Sequence, residues 1–485
     1  MSELQQLKPA AIWRYFDDIC AIPHPSGQEQ ALRNYVLAFA RQHNLESEVD
    51  GVGNIVVRKP ATVGMEDRNG VVLQSHLDMV PQKNEGTDHD FAKDSIQPWI
   101  DGEWVKAKGT TLGADNGIGM AAALAVLAAT DLAHGPLEAL FTVDEERSMT
   151  GAFALQPGWL NGDILLNLDT EEEGELYVGC AGGVNVDADG HYVQEAAPAN
   201  SRYFQLTVKG LKGGHSGCDI HLQRGNANKI MVNLLKALQG VGARIATIRG
   251  GSLANAIPRE AFATIAVPKD QTDKVAQIVD QQLMNVRTLL AVTDGDVSIT
   301  AQESSDSLPI MALKDQQLWL DICHAIPNGV DRMSESVEGV VETSNNFAIM
   351  IVENGEVAVR CFARSLIDSC TVEMGERIAG LLRLSGAEVV KDGLFPGWKP
   401  NSHSPMLAAM QDIYNDLFGK VPTIRVIHAG LECGLLSNAY PDWDMISIGP
   451  TIRFPHSPDE QVHIGSVEKF WTLLTATLAQ IPAKV

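Results

Sequence analysis

Three short apolar runs that end abruptly in histidine or acid set the pattern of this chain. Residues 71–73 (VVL) lead into His76-Leu77-Asp78, 136–143 into Asp144-Glu145-Glu146, and 164–168 into Asp169. Runs without alternation predict strands buried on both faces. Side chains two apart on a strand share a face, so His76 and Asp78 point the same way. A histidine can bind a metal through one ring nitrogen while a carboxylate fixes the other. Each motif alone reads as an inert polar strand end. Together they deliver histidine and carboxylates to the C-terminal ends of strands, where α/β sheets place their sites.

The other elements follow in order. Ser26-x-x-Glu29 predicts a capping box. Behind it Ala31, Leu32, Tyr35, Val36, Phe39 and Ala40 recur at helical spacing, giving a helix over 27–42. Strands are predicted at 54–58 and 71–75, and a hairpin over 99–106 around Asp101-Gly102. In GTTLGADNGIGM, glycines surround Asp115, and the alanine-rich run 120–129 reads as a helix. Alone, Asp115 reads as an N-cap.

Alternation changes in the middle of the chain. RYFQLTVK at 202–209 alternates like a half-exposed antiparallel strand. A glycine-rich turn with His215 follows, then helices at 228–238, 274–290 and 374–384, a strand at 261–267, and a hairpin at Asn354-Gly355. Residues 190–393 are expected to form an α+β domain. From Trp398 the first pattern returns: a helix at 405–418, the segment HAGLECG from His428, a strand at 445–448, the loop 449–459 with His456, and a closing helix at 466–480. The expected architecture is α/β. A catalytic domain (1–189 and 394–485) has a mixed central sheet flanked by helices, and 190–393 is inserted into it.

Length supports this division, since 485 residues exceed one ordinary domain. The net charge of −24 argues against nucleic acid or anionic lipid as a partner. Seven cysteines without a CxxC pair suit a reducing cytoplasm. No signal peptide is read at the N-terminus, and the most apolar stretch, 118–129, is too short to span a bilayer.

The collected candidates are His76, Asp115, Glu145, Glu146, Asp169 and His456. Two histidines and several carboxylates without a thiolate suit zinc, manganese or cobalt. A two-metal hydrolase needs one carboxylate between ions about 3.5–4 Å apart, and Asp115 on its glycine-flanked loop is the choice. Neighbours on an extended chain point to opposite sides, so of Glu145 and Glu146 one can be ligand and the other base.

These residues together resemble the zinc-dependent aminoacylase and carboxypeptidase superfamily of metallopeptidases, in particular its aminoacyl-histidine (Xaa-His, carnosine-type) dipeptidase branch. The likeness covers nearly the whole chain. It is carried by SHLDMVPQKN from Ser75, GTTLGADNGIGMA from Gly109, DEE from Asp144, GLKGGHSG from Gly210, NAIPRE from Asn255, RSLIDS from Arg364, HAGLECG from His428 and SIGPTIRFPHSPDE from Ser447. The resemblance implies two divalent ions. His76, Asp115 and Asp169 would hold one; Asp115, Glu146 and His456 the other. Glu145 would be the general base and Asp78 would orient His76. The inserted domain would be a lid and dimerisation domain, its His215 binding the oxyanion and its Asn255 and Arg364 the substrate's carboxylate end. Gly430 and Glu432 are further substrate candidates. One departure is Asp144, where the family pattern has threonine; an added acid beside the base could raise the base's pKa.

The expected function is therefore metal-dependent hydrolysis of Xaa-His and related dipeptides by a cytoplasmic homodimer. The competing expectations are an aminoacylase acting on N-acyl amino acids and an inactive metal-binding homologue. His428 reads equally as a core or a loop histidine. His221, His324, His403 and His463 read as surface or hydrogen-bonded, and Cys180, Cys218 and Cys433 as small packing residues.

Overall fold

The computed structural model describes residues 3–335, 337–401 and 403–484. The chain divides into two compact units. One comprises Met1–Gly179, Trp398–Val426 and Leu431–Val485, the other Cys180–Gly397 and Ile427–Gly430. The boundary expected at Gly190 falls inside the strand Gly182–His191.

In the first unit the three apolar runs are neighbouring strands. Val71–His76 lies between Leu137–Thr142 and Ile164–Asn167 and runs parallel to both. Asp444–Ser447 continues parallel beside Ile164–Asn167. The first three are buried throughout their length, as unbroken apolar runs require. Antiparallel strands on the flanks complete an eight-stranded mixed sheet. Because the central strands share a direction, His76, the Asp144–Glu146 turn and Asp169 emerge along one edge.

The helix Ala114–Ala128 is buried from Asn116 to Leu127, consistent with its apolar residues on every side. It approaches a strand end closely: a Cβ on Gly119 would stand 2.3 Å from the carbonyl oxygen of Leu168. Asn116 Nδ2 donates to the same oxygen at 2.7 Å. Asp115 is not the N-cap. That position belongs to Gly113, whose φ of 71° suits glycine. Asp115 and Asn116 have non-helical dihedrals and are joined by a cis peptide bond.

The expected capping box is also absent. The helix begins at Gln30, Ser26 Oγ donates to the carbonyl of Met79, and Glu29 Oε1 accepts the N–H of Gly27. Gly27 has a φ of 81°, so the chain turns there and Ser26 never reaches the helix start.

The second unit is built on a nine-stranded antiparallel sheet. Its helices are Ala227–Gln239, Asp273–Leu289, Leu313–Ala325 and Asp368–Arg383, an α+β arrangement. Among the described residues no helix is long and apolar enough to cross a membrane.

Candidate active site

The six candidates converge in the first unit around Asp115. Its Oδ1 lies 3.2 Å from His76 Nε2, and its Oδ2 lies 3.3 Å from His456 Nε2. The two oxygens of one carboxylate thus face two histidines. Asp169 Oδ1 stands 3.4 Å from His76 Nε2, and Glu146 Oε2 stands 2.9 Å from His456 Nε2. Ligand atoms of His76, Asp115 and Asp169 lie within 4.8 Å of one another, as do those of Asp115, Glu146 and His456, and those of His76, Glu145 and Glu146.

Local structure explains these positions. His76 ends its strand, and its Nδ1 lies 3.0 Å from the Asp78 carbonyl and 3.4 Å from Asp78 Oδ1. Asp78 carboxylate oxygens accept the N–H groups of Glu145 at 2.9 Å and Glu146 at 3.2 Å. Glu145 and Glu146 open a short helical turn, Glu145–Ser148, rather than continuing a strand, so the extended-chain argument for separating them does not apply. Asp144 has a φ of 56°. Its carboxylate is met by Arg147 Nε at 2.6 Å and by the hydroxyls of Ser148 and Thr150. The departure at this position thus supplies a turn anchor. His456, with a φ of 60°, sits in the loop between the paired strands Ile452–Arg453 and Gln461–His463.

The donor set fits divalent metal: imidazole nitrogen and carboxylate oxygen, with no thiolate. Glu146 Oε1 and Asp169 Oδ1 are buried and accept no hydrogen bond, a costly state for carboxylates that lack a cation. Another acidic trio, Glu29, Asp78 and Asp144, is also close together, but its carboxylates already accept from Gly27, from Glu145 and Glu146, and from Arg147.

Crowding sets the electrostatics. Burial opposes the charge on Asp115, but His456 and His76 outweigh it and hold the carboxyl well below the usual range. Burial, with Asp115 beside it, pushes Glu146 up to about 7. Burial also raises Asp169, to about 6, against the opposing pull of His76. Glu145 is raised by burial and by Glu146, Asp169 and Glu432, with His76 opposing. Burial lowers His456 but is overcome by Asp115 and Glu146, which lift it to about 11.

The second unit gathers the remaining candidates. His215 and Asn255 adjoin through the paired segments Gly214–His215 and Ala256–Ile257, and Ser216 N–H donates to the Asn255 carbonyl at 2.7 Å. His215 Nδ1 accepts the N–H groups of Gly217 and Cys218 at 3.2 and 3.0 Å, so the proton of the neutral ring is on Nε2. Arg364 is 4 % exposed. Its guanidinium lies over Phe362 at 4.3 Å, and Nε reaches Ser216 Oγ at 3.4 Å. It forms no ion pair among the described residues, and burial draws its pKa down to about 10. Gly430 belongs to this unit rather than the first. His428 is buried, its Nε2 2.8 Å from Ser344 Oγ. Cys218 is exposed, contrary to a packing role, whereas Cys180 and Cys433 are buried.

Glu432, a further substrate candidate, is held from below the strand ends, and its Oε1 accepts no hydrogen bond. It is wholly buried, and one carboxylate oxygen accepts from Gln74 Nε2 at 2.6 Å and Thr142 Oγ1 at 2.7 Å. It joins a polar row beneath the strand ends: Thr142, Gln74, Asn167 and Ser447, one from each central parallel strand, hydrogen-bonded in sequence. Sequence reasoning missed this row because each member looks like an isolated polar residue. It also missed Glu460, four residues after His456 in the same motif. The carboxylate of Glu460 accepts the N–H groups of Leu112, Gly113, Ala114 and Asp115.

Comparison with known proteins assigns the chain to a family. Residues 72–480 match the model of Peptidase family M20/M25/M40. The chain belongs to that family. It is thus a peptidase, an enzyme that hydrolyses peptide bonds. It is 51% identical over 485 residues, all of both chains, to the cytosol non-specific dipeptidase of Escherichia coli (strain K12). It is also 51% identical to the aminoacylhistidine dipeptidase of Vibrio alginolyticus, whose crystal structure it matches with a TM-score of 0.91 over 100% of this chain and 99% of that one. Aminopeptidase PepT from Bacillus cereus shares the fold at 15% identity, with a TM-score of 0.57 over 98% of this chain and 99% of that one.

Proposed function

We propose that the chain is a metal-dependent dipeptidase of the cytosol that cleaves free dipeptides, Xaa-His among them. The observation that carries this reading is the placement of Asp115 between two histidines, each of its carboxylate oxygens facing a different ring, with Glu145 beside His76 and Glu146. The names of the E. coli and Vibrio relatives support dipeptides as the substrate class; one is called non-specific, which favours a side-chain tolerance wider than Xaa-His.

His76, Asp115 and Asp169 would hold one ion, and Asp115, Glu146 and His456 the other; zinc fits this set, as do cobalt and manganese. When bound, such ions supply Lewis acidity to water and to the scissile carbonyl. Glu145 accepts the proton of the attacking water and returns it to the departing amine. Asp78 fixes both the ring of His76 and the turn that carries Glu145. Arg364 offers a buried, unpaired planar fork, which suits a terminal carboxylate. Asn255 would assist it, with Gly430 as a backbone contact. His215 would donate its Nε2–H to the developing oxyanion. The resemblance also implies a homodimer through the second unit.

The test is hydrolysis of carnosine, other Xaa-His dipeptides, unrelated dipeptides, C-terminally amidated dipeptides and N-acetyl amino acids, with and without chelator. Cleavage of free dipeptides that stops with chelator and returns with added metal is expected. Preferential cleavage of N-acetyl amino acids would move the chain to the aminoacylases; efficient cleavage of amidated dipeptides would remove the role given to Arg364.

A further inference from the structure

The carboxylate of Glu460 is 2 % exposed and fully occupied. Oε2 accepts Leu112 N–H at 2.8 Å and Gly113 N–H at 3.0 Å; Oε1 accepts Ala114 N–H at 2.8 Å and Asp115 N–H at 3.2 Å. An ionised carboxylate has about four acceptor positions, and here each meets a successive backbone donor. The left-handed Gly113 turns these donors toward one point, a backbone nest at the start of a fifteen-residue helix.

We propose that Glu460 is a positioning residue that sets Asp115 against His456. One side of the connection is the turn at the helix start, where Asp115 presents its two oxygens to two histidines. The other is the hairpin that carries His456 and closes at Gln461–His463. Glu460 ends the His456 loop, so a single side chain indexes one candidate ligand to another more than three hundred residues away in sequence. The requirement is chemically narrow. Glutamine would aim an NH₂ donor at backbone donors, and aspartate is one methylene too short to reach all four. This inference rests on the reading of Asp115 as a ligand shared by two ions.

A structural cap would also stabilise the fold, so the test must separate metal binding from stability. Glu138 provides the control. It accepts the N–H groups of Asn161 and Gly162 and pairs with Arg58 at the start of the central sheet, remote from the candidate ligands in its strand. Glu460→Gln, Glu460→Asp, Glu138→Gln and Asp115→Asn are compared with the wild type. Each apo protein is melted, then titrated with zinc and with cobalt(II), following the cobalt visible spectrum. Glu460→Gln is expected to weaken metal binding at least tenfold and alter the cobalt spectrum, while Glu138→Gln stays within about threefold of wild type despite a comparable melting loss. Glu460→Asp keeps the charge and should also bind more weakly; it decides the matter if Glu460→Gln does not fold. Equal metal affinity for the Glu460 and Glu138 variants would overturn the proposal. Retention of both ions by Asp115→Asn would instead refute the shared-ligand reading beneath it.

Discussion

The carboxylate of Asp78 accepts the backbone N–H of Glu145 at 2.9 Å. This contact ties the strand end that carries His76 to the turn that carries the proposed base. Burial opposes the Asp78 charge, but hydrogen bonding to His76 and the charge of that ring outweigh it, bringing its pKa down to about 2. Asp78→Asn keeps the size of the side chain but replaces one acceptor with a donor. It should reduce kcat or metal affinity about 10–100-fold, the range for groups that orient ligands. Steady-state rates and metal content of the purified variant decide it, and wild-type values for both would remove the role.

Glu145 and Glu146 adjoin in sequence but should respond differently. Glu145→Gln is expected to keep its metal and lose turnover by at least 10², the scale of a general base. Glu146→Gln should instead bind metal weakly, since its carboxylate faces His456 at 2.9 Å. Elemental analysis alongside kcat distinguishes them; the reverse pattern exchanges their roles.

Asp115→Ala should lose both ions, because its two oxygens face different histidines. Dialysis against chelator followed by stepwise addition of zinc should restore the wild type and leave the variant inactive. A variant that still holds two equivalents of metal would place the bridge elsewhere.

His215→Ala should lower kcat about 10²–10³-fold, the effect of removing an oxyanion donor, with metal content unchanged. His215 Nδ1 also accepts two backbone N–H groups. His215→Asn, which can keep a short side-chain acceptor there, is the companion variant for stability. A melting loss without a kcat loss would make the residue a turn anchor only.

His428 predicts an acid-side stability slope. Burial, followed by the nearby Arg364 charge, pushes its pKa down to about 3. In the unfolded chain the ring titrates near pH 6.5. The folded value is the lower one, so as pH falls from about 6.5 toward 3 the unfolded chain gains the proton and stability is lost. The slope is about 1.4 kcal/mol per pH unit, or roughly 2–3 kcal/mol by pH 4.5. His428→Gln should flatten the acid limb of a melting-temperature series from pH 7.5 to 4. Parallel limbs for both proteins would show that the ring is protonated without cost.

The sequence was most legible where the signal was local and repeated. Val71–His76, Leu137–Thr142 and Ile164–Asn167 were visible as unbroken apolar runs, and Pro405–Phe418 as a helix with its proline near the start. The gathering of His76, Glu145, Glu146 and Asp169 was legible because parallel strands bring their ends together, whereas Asp115 and His456, on loops, were legible through the motifs around them. Tertiary contacts defeated the rest. Ser26 looked like a cap, but its hydroxyl bonds the Met79 carbonyl, fifty-three residues away. Glu460 was invisible as an anchor because its partners lie near Asp115, and the sequence does not show Gln74 and Thr142 holding Glu432.

The polar row through Thr142, Gln74, Asn167 and Ser447 gives the central sheet an address. Apolar strands buried on both faces can slide past one another with little change in what they bury, whereas a one-residue slip turns every side chain over. Here a slip would leave each row member without its partner, at about 1–3 kcal/mol for each orphaned buried group. An inserted residue in Ile164–Asn167 would therefore be felt first at Asp169, two residues beyond the strand, as a carboxylate facing the wrong way. The alignment of the candidate ligands along this edge is inherited from this one transverse line of side chains.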